Sequence, residues 1–179
     1  VNNLFLTGFM ATGKTLVGRA VAARLGRRFL DVDVEIEREV AMSVPDIFAR
    51  FGEGEFRARE RRVLERLCAL DNAVIATGGG AVVDPRNRAA MRASGVLVCL
   101  TADPAAILER VGNGGERPLL ADGNGREARI RSLLGERATA YADADLVVDT
   151  TRRSVEEVGD AIVDWLMDAY AARERSGQR

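Results

Sequence analysis

Gly8-Phe9-Met10-Ala11-Thr12-Gly13-Lys14-Thr15 is the stretch on which the reading of this chain turns. It fits the pattern G-x-x-x-x-G-K-[ST]. Before it lies the apolar run Leu4 to Thr7, read as a first strand. After it, Lys14 to Leu25 carries Val17, Val21 and Leu25 at helical spacing and stops at Gly26. A strand, a glycine loop and a helix in that order give the motif its physical sense. The loop's backbone N–H groups converge on phosphate oxygens, and the helix adds its positive dipole end. Lys14 then reaches the β- and γ-phosphates, and the Thr15 hydroxyl ligates magnesium. Gly8, Ala11, Thr12, Gly13, Lys14, Thr15 and Leu16 are therefore the candidate ATP-binding residues. Ala11 puts a methyl in the loop, which is tolerated at negative φ and costs about 1 kcal/mol at positive φ.

Outward from the loop, short apolar runs alternate with helical patterns. Strands are expected at Phe29 to Val32, Ala73 to Ala76, Val96 to Leu100 and Asp145 to Asp149. Helices are expected at Val34 to Ala41, Pro45 to Phe51, Glu55 to Leu70, Arg126 to Tyr141 and Ser154 to Tyr170. Ser43 with Asp46, Asp84-Pro85, Asp103-Pro104, and Ser154 with Glu157 read as helix starts. Such alternation means βαβ units, a largely parallel sheet and helices on both faces. No repeat or linker interrupts it. One domain is expected over residues 1–170, followed by a polar tail over 171–179. The five-glycine stretch Gly112 to Gly125, which holds Arg117, reads as a mobile lid that excludes water during transfer.

Composition narrows the chemistry. The 179 residues are 47% hydrophobic and carry a net charge of −1, which suits a globular α/β chain and disfavours a general nucleic-acid binder. There is no histidine, so imidazole acid–base chemistry and histidine metal sites are excluded. Of 26 basic residues one is lysine, Lys14. Where arginine serves everywhere else, this position keeps the compact ammonium, which a planar fork does not imitate. The same count rules out an [NT]KxD guanine motif, and protein-kinase signatures are missing. Cys68 and Cys99 form no CxxC pattern and read as free thiols of a cytoplasmic protein. Leu4-Phe5-Leu6 is too short for a membrane span, and no signal peptide is expected.

A P-loop protein needs an acid to steady its metal. Thr77-Gly78-Gly79-Gly80 after the third strand offers none, whereas the second strand ends in Asp31-Val32-Asp33. Strand alternation would put both carboxylates on one side, with Val32 opposite. Asp31 is then the candidate for the magnesium shell, acting through water. Asp33 lies further out, where it would accept an alcohol's proton and orient the oxygen. Either acid also suits a helix cap for the segment from Val34 onward.

With these residues in place, the chain from about Leu4 to Met167 resembles the shikimate kinase family. The resemblance is carried by Asp31 to Glu37, by Asp46-Ile47-Phe48 with Gly52-Glu53, and by Glu55-Phe56-Arg57 with Glu60. It continues in Thr77 to Gly80, Arg117-Pro118-Leu119-Leu120, Arg137 with Tyr141, and Asp149-Thr150 with Arg152. It implies a P-loop kinase fold similar to nucleoside monophosphate kinases, with a five-stranded parallel sheet flanked by helices. It also implies a monomer that uses Mg2+ and ATP to phosphorylate the 3-hydroxyl of shikimate, a step toward aromatic amino acids. Carried over by position, Asp33, Arg57, Gly78, Gly79, Gly80 and Arg137 would hold shikimate, with the substrate segment spanning about residues 32–62. Arg57 and Arg137 would take its carboxylate. Arg117 would neutralise charge on the transferring phosphoryl group, and Arg110 and Arg152 would lie against the adenine. Two arginines suit a carboxylate because the guanidinium fork binds it in bidentate fashion. Three glycines in a row let a ring approach the backbone closely. Without the resemblance, Arg57 is not distinguishable from Arg59, Arg61, Arg62 and Arg66 on the same helix. One departure stands out: Ala11 replaces the second glycine common in the family's phosphate loop.

Two other readings compete. One is a different small-molecule kinase of this architecture, such as a gluconate kinase, which the pair of carboxylate-binding arginines disfavours. The other is a non-catalytic module that binds shikimate, for which loss of Lys14, Thr15 or Asp33 would be expected.

Overall fold

A computed structural model describes residues 3–112 and 125–177. The elements are β1 (Asn3–Gly8), α1 (Lys14–Leu25), β2 (Arg28–Asp31), α2 (Val32–Val40), α3 (Val44–Cys68), β3 (Ala73–Ala76), α4 (Pro85–Ser94), β4 (Gly95–Thr101), α5 (Pro104–Val111), α6 (Arg126–Ala142), β5 (Leu146–Asp149) and α7 (Val155–Gly177). A short 3-10 turn, Ala81–Val83, precedes α4.

The five strands form one sheet in the order β2-β3-β1-β4-β5, and every pairing is parallel. Side chains alternate between its faces. Phe5, Ile75, Leu97 and Cys99 point into one core, and Leu4, Leu6, Val74, Val98 and Leu100 into the other. The first core is closed by Ile36 of α2, by Val63, Leu64 and Leu67 of α3, and by Ile130 and Leu133 of α6. The second is closed by Val17 and Val21 of α1 and by Val158, Ile162 and Leu166 of α7. Trp165 is half-buried against this second core. Covering both faces is what lets a parallel sheet exist, since neither face is then left in water.

Because all strands run the same way, the segments after them gather along one edge. The phosphate loop follows β1, Asp31 ends β2, Thr77–Gly80 follows β3, and Thr150–Arg152 follows β5. In open α/β sheets this carboxyl edge is where ligands bind.

The two helices expected on either side of Gly52 are present, following one another within α3 across a break where Gly52 sits at the non-helical φ 78°, ψ 172°. Two boundaries differ from the sequence reading. α7 continues to Gly177, past the end at Tyr170 that the apolar spacing suggested. The second concerns the acids: β2 ends at Asp31 and Val32 already opens α2. Asp31 and Asp33 therefore do not alternate along one strand. The reason is local, because the Asp31 Oδ1 accepts the Asp33 N–H at 3.1 Å, a helix cap that turns the chain out of the strand. Ser43 and Asp84 cap α3 and α4 as expected. Asp103 makes no side-chain cap bond.

Candidate active site

The phosphate loop is shaped by close contacts. Gly8 sits at φ 128°, and a side chain there would run into the Leu100 carbonyl of β4. Only glycine meets both conditions. Gly13 caps α1 with its own backbone in the left-handed region. Lys14 Nζ donates to the carbonyls of Gly8 at 2.9 Å and Phe9 at 2.7 Å. Thr12 donates its hydroxyl to the Phe9 carbonyl at 2.8 Å. Ala11 has φ 59°. Its methyl therefore carries the cost of about 1 kcal/mol attached to a side chain in the left-handed region. Leu16 is exposed at the start of α1.

Asp31 serves two purposes at once. While its Oδ1 caps α2, its Oδ2 accepts from the Thr15 hydroxyl at 2.9 Å. Cap and metal-shell candidate were alternatives in the sequence; one carboxylate has the oxygens for both. Among the described residues no group of three His, Cys, Asp or Glu converges into a metal cage. The Thr15 and Asp31 oxygens beside the phosphate loop are hard donors, and they fit a magnesium ion that keeps most of its waters.

Asp33 stands in the first turn of α2, and its Oδ1 is buried without a hydrogen-bond partner. Burial, helped by the charges of Asp31 and Glu60, pushes its pKa from 3.8 up to about 7, against the pull of Lys14 and Arg57. A buried carboxylate oxygen without a partner is costly unless a ligand completes it. Space for that ligand is set by Gly78, where an added Cβ would lie 2.6 Å from Glu60 Oε1 and 3.2 Å from Asp33 Oδ1.

The arginines separate clearly. Arg57 faces the site: it pairs with Glu60 at 2.8 Å and Glu53 at 3.1 Å, and a Cβ on Gly80 would sit 2.7 Å from its Cζ. Burial opposes its charge, but Glu60 and Glu53 outweigh that and hold its pKa above the ordinary arginine value. On the same helix Arg59 pairs with Glu55, Arg61 with Asp84, and Arg66 with Glu35 and Glu39. Arg137 of α6 is 7% exposed and lies over the Phe9 ring, with its Cζ 5.6 Å from the centroid. Tyr141, one turn on, donates to the Gly79 carbonyl at 2.7 Å, and burial pushes its pKa up to about 12.

Arg110 donates to the carbonyls of Ala11, Thr150 and Thr151 and to the Thr150 hydroxyl. It thus braces the phosphate loop against the turn after β5. Arg152 is exposed in that turn. Residues 113–124, with Arg117 and most of the expected lid, lie outside the described residues.

Glu60 is the residue whose place the sequence reading left unassigned. It is 1% exposed, pairs with Arg57, and has an Oε1 with no partner. Its signal was present: it falls three and four residues before Val63 and Leu64, on the inward stripe of α3, where an unpaired acid has no place.

The comparisons with known proteins bear on this arrangement directly. The family profile described as shikimate kinase matches residues 10–167. The chain belongs to the shikimate kinase family. Shikimate kinase from Geobacter sulfurreducens is 45% identical over 93% of this chain and 91% of its own length. That from Thermus thermophilus is 44% identical over 94% and 91%. The structure of Acinetobacter baumannii shikimate kinase in complex with shikimate superposes with a TM-score of 0.90 at 36% identity, covering 94% of each chain. A gluconokinase from Sinorhizobium meliloti gives 0.62 at 16% identity, covering 99% of this chain and 97% of that one. That is a likeness of fold alone.

Proposed function

We propose that the chain transfers the γ-phosphate of ATP to the 3-hydroxyl of shikimate, giving shikimate 3-phosphate and ADP. The observation that carries this reading is the buried Asp33 oxygen without a partner, beside Gly78 and within the fields of Lys14 and Arg57. A carboxylate acceptor with hydroxyls on its ring suits that set. Arg57 and Arg137 take the carboxylate, and the backbone at Gly78, Gly79 and Gly80 lies against the ring. Asp33 orients the 3-hydroxyl and accepts its proton. The bond from that oxygen to the γ-phosphorus forms as the bridging bond to ADP breaks. Lys14 and the loop N–H groups bear the phosphate charge. Arg117 adds to this on the strength of the family resemblance. Phosphoryl transfer asks mainly for positioning and charge neutralisation, which these residues supply. Thr15, and Asp31 through water, would hold Mg2+, which would supply positive charge to offset that of the phosphates.

The chain is proposed to act as a cytoplasmic monomer. No helix among the described residues is long and apolar enough to cross a membrane. The free thiols Cys68 and Cys99 suit a reducing compartment.

A coupled ADP-release assay with Mg-ATP, comparing shikimate, quinate and gluconate, tests the reading. Release that depends on shikimate is expected. Release with gluconate alone would keep the phosphate-loop assignment and overturn the acceptor. No release with any acceptor, despite nucleotide binding, would point to a non-catalytic binding module.

A further inference from the structure

The contacts around Phe9 lie outside every role assigned so far. Phe9 is the second residue of the phosphate loop and is 1% exposed. Its carbonyl is gripped by Lys14 and Thr12, and its ring lies under the Arg137 guanidinium. With both partners buried, that cation–π contact is desolvated and strong for its kind. A second route runs alongside. Lys14 also holds the Gly8 carbonyl, against which Gly79 packs so closely that a Cβ on Gly79 would lie 2.9 Å from it. Gly79 in turn is tied to α6 by the Tyr141 hydroxyl. Both routes start at the ammonium that meets the nucleotide and end on the helix that carries Arg137.

We propose that Phe9 is a positioning residue that couples nucleotide binding to acceptor binding, by seating the Arg137 guanidinium according to where Lys14 holds the phosphate loop. This rests on the shikimate reading above. A bound triphosphate draws the Lys14 donors onto phosphate oxygens. The Gly8 and Phe9 carbonyls then share or lose that donor, and the peptide units under the Phe9 ring and Gly79 settle differently in the two states. An element biased from both ends transmits the same factor in either direction.

Equilibrium titration of shikimate with and without a saturating non-hydrolysable ATP analogue and Mg2+ reads the coupling factor. In the unmodified protein, nucleotide is expected to tighten shikimate binding by about fivefold or more. Phe9→Leu keeps the apolar bulk but removes the ring face. Its coupling factor is expected to fall at least about twofold, with shikimate KM up roughly tenfold and ATP KM within about twofold. Phe9→Tyr keeps the face and should retain the coupling. A folded Phe9→Leu protein with the original factor, or with both KM values raised alike, overturns the proposal. So does an unmodified protein whose factor is one. If a thermal melt shows that Phe9→Leu does not fold, Phe9→Met decides, since it also lacks the ring face: a smaller factor supports the proposal and an unchanged one overturns it. Failure of the shikimate reading would look different, because the unmodified protein would then neither bind nor turn over shikimate.

Discussion

At the scale of single residues, Asp33 concentrates the chemistry. As the group that orients the hydroxyl and accepts its proton, it is expected to be replaceable by asparagine only at a loss of about 10²–10⁴ in kcat. ATP binding should survive in Asp33→Asn, because the phosphate loop is untouched. Turnover at the original rate, measured by ADP release, would remove Asp33 from the mechanism. The same residue makes a prediction about stability. Its pKa is raised from 3.8 to about 7 by burial first and by Asp31 and Glu60 next. Between those values the folded protein keeps a proton that the unfolded chain has released. Its contribution to stability is therefore full below about pH 4 and is lost as pH rises through about 7. Asp33→Asn should accordingly raise the melting temperature of the ligand-free protein at pH 8 and leave it unchanged near pH 4. Melts at the two pH values check the sign. Arg57 gives a third test. Arg57→Ala removes half of the carboxylate site, so shikimate KM should rise by roughly 10- to 100-fold while ATP KM changes little. An equal rise in both would place the carboxylate elsewhere.

At the scale of elements, α3 is the part with the most to explain. Its two helical halves meet at a break where Gly52 takes a backbone conformation essentially reserved for glycine, at φ 78°, ψ 172°. Beyond the break, Glu60 faces Gly78 and Arg57 faces Gly80, with Glu53 pairing with Arg57, while Val63, Leu64 and Leu67 lie in the core. Gly52→Ala is expected to cost about 1–3 kcal/mol of stability. It should also raise shikimate KM through Arg57, an effect that denaturant melts and steady-state kinetics separate. Most of the elements were legible because their signals are local. Val17 and Val21 repeat at helical spacing, Ser43 and Asp84 sit where caps must sit, and β1 and β3 are short apolar runs with glycines after them. Asp31-Val32-Asp33 was misread because β-branched Val32 looks like strand, and the hydrogen bond that makes it a helix start comes from the preceding side chain. The burial of Glu60 was not read either, since a charged residue on a charged helix looks solvated until its inward neighbours are counted. For Arg57 against Arg59, Arg61 and Arg66, the choice depends on which acids other elements bring near, and spacing along one helix does not contain that.

At the scale of the whole molecule, the site exists because five parallel strands deliver their carboxyl ends to one edge. The phosphate loop, the Asp31–Asp33 corner and the glycine triplet each come from a different strand, and the two facing arginines from α3 and α6. No piece is a site alone. Ligands that bridge them should therefore stabilise the fold as a unit. At about 100 times its dissociation constant, each is expected to add about 2.7 kcal/mol. Thermal shifts with Mg-ATP and shikimate, singly and together, would check this, and a chelator should erase the nucleotide's share. No shift with either ligand would mean that the pieces do not form a joint site. The seat of Lys14 on the Gly8 and Phe9 carbonyls has a consequence of another kind. It is the one ε-amino group in 179 residues. An acylating reagent that seeks such amines has a single side chain to find, and it lies in the nucleotide's path. Reagent uptake at Lys14, read as a mass increment on the peptide that carries it, would thus report how open this one seat is, and a bound nucleotide would shield it.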